Sequence, residues 1–484
     1  MRDRVRAIRP AQRWLLGILV LSVLLRVAVA LYYGDTIEAP PLLTDQRSYH
    51  VLGARLISGD GFSFDRPWYP FTPADTPTAH WSFLYALFVA GIYALAGVHP
   101  LAVRLVQAVL GGILLPWMVY RLARQMGADG LAATGQRMAL RPQASDGPSF
   151  SPECSDVAAT EGWRGRWDGV PVLAAFVAAV YGYFVLYAAT VMTETFFIIA
   201  VLWSLEKGLE LANRLRSLSP GQGATQGRPH GHGGLACSLG LSFAMATLLR
   251  QSFLPWVPVL VLYVVWTARR AGNTRPAAAA LGIALAILAA AILPWTVRNV
   301  RVYGRFLLLN SNAGYAMYSA QHPMHGTSFR EFDAAPLPDD LPRGNEAQMD
   351  QELMRAGIRM VVDDPGRYLL LSLSRVRAYF EFWPTRDTTL LHNVGRSASF
   401  GLFLPFMLYG LVIALRHRGF AARNALVFLF VVTYSLLHLL TWAMVRYRLP
   451  VDAVLVVFAA VAGVDLVHVL INRGRASSTD PFHP

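Results

Sequence analysis

The chain has 484 residues, 54% of them apolar and 15% charged, with a formal net charge of +13 and 2 cysteines. Apolar residues gathered in repeated runs of about 20 exclude an ordinary water-soluble domain, because that is the length a helix needs to cross the hydrocarbon layer. Two cysteines, Cys154 and Cys237, supply neither a disulfide framework nor a zinc set.

Lipid forces backbone hydrogen bonds to close within a segment, so the runs predict an all-α integral membrane protein. The first, 14–33, follows Arg2, Arg4, Arg6, Arg9 and Arg13. It is longer than the apolar region of a secretory signal, and Ala28-Val29-Ala30 is a poor cleavage site, so it is an uncleaved anchor with a cytoplasmic N-terminus. Further spans are predicted over 101–122, 170–189, 194–212, 235–250, 253–268, 277–297, 399–416, 422–441 and 449–471, about ten in all. Two other apolar stretches read as interfacial or re-entrant: 81–97, closed by Pro100, and 367–383, interrupted by Arg375 and Arg377. With those two left uncrossed, more than half of the 43 Lys and Arg residues but only about a third of the 30 acids fall in short cytoplasmic segments. This positive-inside pattern accounts for the net charge without nucleic acid.

One transmembrane domain over 1–484 is therefore expected, with polar cytoplasmic connectors at 128–168 and 213–234. The Pro229-His230-Gly231-His232 patch in the latter reads as solvated filler rather than a metal site. Two long external loops, 34–100 and 298–398, are where chemistry is to be sought.

In the first of these loops, Leu43-Thr44-Asp45-Gln46-Arg47-Ser48-Tyr49-His50 leads into a short amphipathic helix ending before Gly59-Asp60-Gly61. Thr44 suits an N-cap and Asp45 the first turn, where an acid complements the helix dipole whether or not it reacts. Thr190-Val191-Met192-Thr193-Glu194-Thr195 is the polar break in an apolar hairpin, so Glu194 lies where an ionisable group needs a cavity or a partner. Two acids on one side of the membrane suit proton abstraction or sugar orientation. Arg250, Arg298, Arg446 and Arg448 fall on the same side. An arginine at a span end often only reaches for head groups, but four together suit an anionic phosphate, which guanidinium pairs well. Arg446 and Arg448 flank Tyr447 and would lie about 200° apart in a helix, so one of them rather than both should reach a phosphate. Arg448, next to the start of the helix, is favoured.

The order Asp45, the aromatic stretch from Pro73 to Gly97, Arg104, Glu194, Leu249-Arg250, Pro294-Trp295-Thr296-Val297-Arg298-Asn299, Asn312-Ala313-Gly314-Tyr315 and Arg446-Tyr447-Arg448-Leu449-Pro450 resembles the protein mannosyltransferase and aminoarabinose transferase group of GT-C glycosyltransferases. The resemblance covers about residues 13–471. It implies a bacterial inner-membrane enzyme with an extracytoplasmic site that moves a sugar, with inversion, from a polyprenyl-phosphate donor to a hydroxyl on a lipid, glycan or protein. By that likeness Asp45 is the base, Glu194 a second acid of the cavity, and Arg250, Arg298, Arg446, Arg448 and Tyr447 hold the donor phosphate. Protein mannosyltransferases carry an Asp-Glu pair where this chain has Asp45-Gln46, which argues against protein O-mannosylation. No cofactor is firmly implied, and a divalent cation is left open. A polymerase or ligase of lipid-linked oligosaccharide shares these features. A flippase of an anionic lipid would instead show internal repeats, and none is found.

Overall fold

The computed structural model describes residues 10–37, 44–139, 167, 169–218, 230–331, 333, 335–342, 344–386 and 390–478. Its helices are α1 (Pro10–Tyr33), α2 (Thr44–Ser58), α3 (Phe83–Ala96), α4 (Pro100–Ala139), α5 (Val170–Val180), α6 (Gly182–Ala188), α7 (Glu194–Ser217), α8 (His230–Leu249), α9 (Trp256–Arg270) and α10 (Thr274–Tyr303). The second half adds α11 (Ala313–Gln321), α12 (Glu346–Asp363), α13 (Pro365–Tyr379), α14 (Leu390–Arg396), α15 (Leu402–Arg416), α16 (Arg418–Arg423), α17 (Ala425–Leu440) and α18 (Val445–Ser478). Among the described residues there is no β-strand, only two isolated bridges.

Among the described residues six helices are long and apolar enough to cross a membrane: Ala11–Tyr33, Pro100–Gly127, Gln251–Arg270, Thr274–Tyr303, Asn393–Arg416 and Val445–Asn472. The pair α5 and α6, bent by 56°, makes a seventh. The expected ten is reached only by adding α8 and α17, which are apolar but shorter, and α7, whose second half carries Glu206, Lys207 and Glu210. The two uncertain stretches are helices as well. At 14 residues α3 is about 21 Å long, short of the ~30 Å hydrocarbon layer. α13 is amphipathic, opens on an Asp364 cap and buries Arg375 against the Ala320 carbonyl at 2.6 Å. The segment 128–168, read from sequence as a polar connector, begins as helix, since α4 continues to Ala139. Residues 140–166 and 168 of that connector, Cys154 among them, and the side chains of the His230 and His232 patch lie outside the described residues.

α7 is the axis of the bundle, buried along its first two-thirds among α4, α8, α9 and α18. α15 packs on α18 at Gly410, where a Cβ would stand 1.8 Å from the Phe458 carbonyl oxygen, so only glycine allows this approach. The break between α5 and α6 frees carbonyls inside the bundle. Arg26 of α1, fully buried, donates to those of Ala179 at 2.9 Å and Ala178 at 3.2 Å and so makes the bend tolerable away from water.

Candidate functional site

Three polar side chains fix the turns that carry the two acids. Arg104, near the start of α4, donates to the carbonyls of Gly34 at 2.5 Å and Thr36 at 2.9 Å, tying the end of α1 to the approach to α2. Gln107, one turn on, donates to the carbonyls of Tyr187 at 3.0 Å and Thr190 at 2.6 Å, so the turn between α6 and α7 hangs from α4. Gln46 of α2 then accepts from the Val191 N–H at 3.1 Å and from Arg104 at 3.4 Å. The residue that departs from the Asp-Glu pattern is thus a neutral acceptor joining the Asp45 helix to the Glu194 turn.

Asp45 and Glu194 consequently meet at one end of the bundle. Arg446, in the first turn of α18, lies 2.5 Å from Asp45 Oδ2 and 3.8 Å from Glu194 Oε1 through the same Nη1. Arg250, at the end of α8, closes the row, with Nη2 2.5 Å from Glu194 Oε1 and Nε 2.9 Å from Thr193 Oγ1. Charges therefore alternate as Asp45, Arg446, Glu194, Arg250. Both guanidinium groups stand over the Tyr447 ring, each 5.3 Å from its centroid, and that ring also stacks on His438 at 4.8 Å. Glu194 Oε2 and Arg446 Nε are buried without a protein partner, so the row keeps hydrogen-bonding capacity for a ligand.

Two arginines expected here are elsewhere. Arg448 is fully buried, held by Asp452 at 2.9 Å and the Tyr379 carbonyl at 2.5 Å, with Phe400 under its guanidinium at 3.6 Å. It is Arg446, not the favoured Arg448, that lies beside the two acids: α18 is already helical at Val445, and the two side chains diverge as the 200° geometry requires. Arg298 folds back over Trp295 and Tyr303 of its own helix and donates to Asn299 Oδ1, giving it no contact with the row. Thr44 opens α2, and its side chain is outside the described set.

Sequence reasoning missed other groups. Glu331 of the second long loop accepts from the Val445 N–H and faces Arg446, Arg396 and Glu381. Burial pushes its carboxyl up to about 8, Glu381 adds to this, and Arg396 and Arg446 oppose it. Glu346 buries its carboxylate between the two loops, accepting from Thr72 Oγ1 at 2.6 Å, the Ala79 N–H at 2.7 Å and Ser311 Oγ at 2.8 Å. Neither residue has a local sequence signature, since their partners lie on remote segments. A groove of about 580 Å³ opens between α13 and α15, lined by apolar side chains such as Val376, Phe380, Phe400 and Leu404 and by Arg377, which stands over Trp383. Among the described residues no group of three or more His, Cys, Asp or Glu side chains is arranged to hold a metal.

No protein-family model matches the chain, and no curated protein matches it in sequence. Solved structures do match. The archaeal oligosaccharyltransferase AglB from Archaeoglobus fulgidus, in complex with an inhibitory peptide and a dolichol-phosphate, is 15% identical with a TM-score of 0.52, over 97% of this chain and 52% of that one. The apo form of the Archaeoglobus fulgidus oligosaccharyltransferase is 13% identical with a TM-score of 0.54, over 98% of this chain and 53% of that one. The chain spans about half the length of the solved structures it matches. At this identity the likeness is one of fold, and the fold is the all-α membrane bundle expected from the sequence.

Proposed function

We propose that this chain is a membrane glycosyltransferase of the group that includes the mannosyl- and aminoarabinosyltransferases. It transfers one sugar from a polyprenyl-phosphate donor to a hydroxyl acceptor on the extracytoplasmic face of a bacterial inner membrane, with inversion. The observation that carries this reading is the row Asp45, Arg446, Glu194, Arg250, which sets a proton acceptor beside phosphate-binding groups. Asp45 takes the proton of the acceptor hydroxyl as its oxygen bonds to the anomeric carbon. The bond from that carbon to the phosphate oxygen breaks, and the departing lipid phosphate gains a second negative charge. Arg446 and Arg250 stabilise that growing charge, and the phosphate draws Arg446 from Asp45, freeing the carboxylate to act as base. Tyr447 holds both guanidinium planes in place. The groove beside Phe400 suits the isoprenoid tail, which needs an apolar surface open to lipid.

The structures of similar fold are oligosaccharyltransferases, which keeps transfer of a preassembled oligosaccharide as a second reading. Incubating the purified protein with labelled polyprenyl-phosphate monosaccharides and measuring released lipid phosphate separates the two. The first reading requires release from single-sugar donors, and Asp45→Asn should lower it by about 10²–10⁴ with donor binding retained. Near wild-type turnover in that variant would move the base elsewhere, with Glu194 next in line.

A further inference from the structure

Between Asp45 and the second long loop, the first loop makes a tight turn that is pinned on both sides yet presents an aromatic ring to the open. Trp68 and Thr72 exchange backbone hydrogen bonds of 2.8 and 2.9 Å, which leaves Tyr69, Pro70 and Phe71 at the tip. Trp68 stacks flat on Phe64 at 4.5 Å and donates from its indole to Ser48 of α2 at 2.8 Å, while Thr72 is bound by Glu346 of α12. A turn held this firmly has no structural need for a large exposed side chain, but Tyr69 is 51% exposed. Its hydroxyl donates to Tyr315 at 2.8 Å, and Asp45 and Tyr447 lie near enough to bear on it electrostatically.

Partly exposed polar side chains, held by bonds to one another and to the backbone, stand behind the tip. Phe71 meets the edges of Tyr315 and His80, and the His80 carbonyl accepts from Asn312 at 3.2 Å and Asn310 at 3.3 Å. Asn312 is in turn bonded to Gln251, the neighbour of Arg250. A continuous wall of aromatic faces and side-chain amides thus runs from Tyr69 to the phosphate-binding end of the row. Such walls suit a saccharide, whose C–H face packs on an aromatic ring while its hydroxyls pair with amides that both donate and accept.

We infer that the acceptor is itself a saccharide, whose ring packs on Tyr69 at the tip of the Trp68 to Thr72 turn and presents its hydroxyl to Asp45. This rests on the glycosyltransferase reading and names the acceptor class for that site. The test is saturation-transfer NMR on the full chain in nanodiscs, with methyl glycosides of glucose, mannose, galactose and N-acetylglucosamine as probes and a serine- and threonine-containing tetrapeptide beside them. At least one glycoside should receive saturation on its ring protons in the wild type and in Tyr69→Phe, lose at least three-quarters of it in Tyr69→Ala, and outcompete the peptide. Equal transfer in wild type and Tyr69→Ala, no glycoside signal in the wild type, or a signal from the peptide alone would overturn the assignment. In a parallel turnover assay the Tyr69→Ala defect should appear as a raised KM for the acceptor, and a defect confined to donor KM would equally overturn it. Glycoside binding through Tyr69 without release of lipid phosphate would refute the transferase reading and leave the saccharide subsite standing.

Discussion

Among the described residues Arg446 is the side chain that pairs with both acids, and replacing it separates its structural from its chemical work. Two unit charges about 4 Å apart attract by about 4 kcal/mol at the effective dielectric of a partly buried site, before the cost of removing them from water. Arg446 makes one such contact with Glu194 at 3.8 Å and a closer one with Asp45 at 2.5 Å. In Arg446→Ala, two carboxylates are left with Arg250 alone. Stability should fall by about 3–5 kcal/mol, the range for breaking a buried pair. Turnover of folded protein should fall by about 10²–10³, the usual loss when one stabiliser of a growing anion is removed. Lysine is the sharper probe. Because a single nitrogen, Nη1, makes both contacts, an ammonium there retains much of the pairing but loses the guanidinium plane over Tyr447 and the two-pronged hold on a phosphate. Arg446→Lys should therefore unfold close to wild type yet turn over about tenfold more slowly, about 1.4 kcal/mol in the barrier. The assay is release of labelled polyprenyl phosphate from detergent-purified protein, normalised to the folded fraction, with Arg448→Lys in parallel. Arg448→Lys should lower thermal stability and leave donor KM unchanged in what remains folded. Turnover of Arg446→Ala within threefold of wild type, or a raised donor KM in Arg448→Lys but not in Arg446→Lys, would refute the reasoning.

Two further outcomes are expected. Exposed Ser328, in the second long loop, changed to cysteine in a background without Cys154 and Cys237, should react with an impermeant maleimide in intact cells; labelling only after lysis would reverse the external assignment of 298–398. Glu331 titrates at about 8 in the fold against an ordinary 4.5, so the folded state binds its proton more tightly and this residue's contribution to stability is lost as pH rises from about 4.5 to about 8. Glu331→Gln should flatten the pH dependence of the unfolding midpoint across that window, and an unchanged slope would show that another group carries it.

The helical membrane fold was legible because it rests on composition and run length, which lipid enforces segment by segment. The span count was less so. α5 and α6 read as one run, since the bend at Tyr181 depends on Arg26 of a different helix to satisfy the Ala178 and Ala179 carbonyls. α7 was counted as a span from its apolar first half, although Glu206 and Lys207 follow; Glu206 is buried and paired with Arg121 of α4 at 2.6 Å. Glu194 could be found as a polar break in an apolar hairpin, and Asp45 as a first-turn acid of the amphipathic helix in the first long loop. Their convergence could not, because Gln46, Arg104 and Gln107 create it by reaching carbonyls and an N–H distant in sequence.

The exchange of Arg448 for Arg446 shows where a usable signal lay unread. Within a helix, a residue meets side chains three and four positions along the chain. Four residues after Arg448 stands Asp452, and the two pair inside the bundle at 2.9 Å, with Tyr181 donating to the second carboxylate oxygen at 2.8 Å. Four residues after Arg446 stands Pro450, and three after it Leu449, neither of which accepts a guanidinium proton. An arginine with an acid at the fourth position of an otherwise apolar helix has its charge neutralised within its own helix, where lipid or tight packing makes that pairing necessary. An arginine without one must find its partner elsewhere. For Arg446 that partner is Asp45, 401 residues away, and the same need lets a phosphate compete for it. Nearness to the start of the helix, which favoured Arg448, says only how exposed the backbone is; the residue four positions on says whether the charge is already taken.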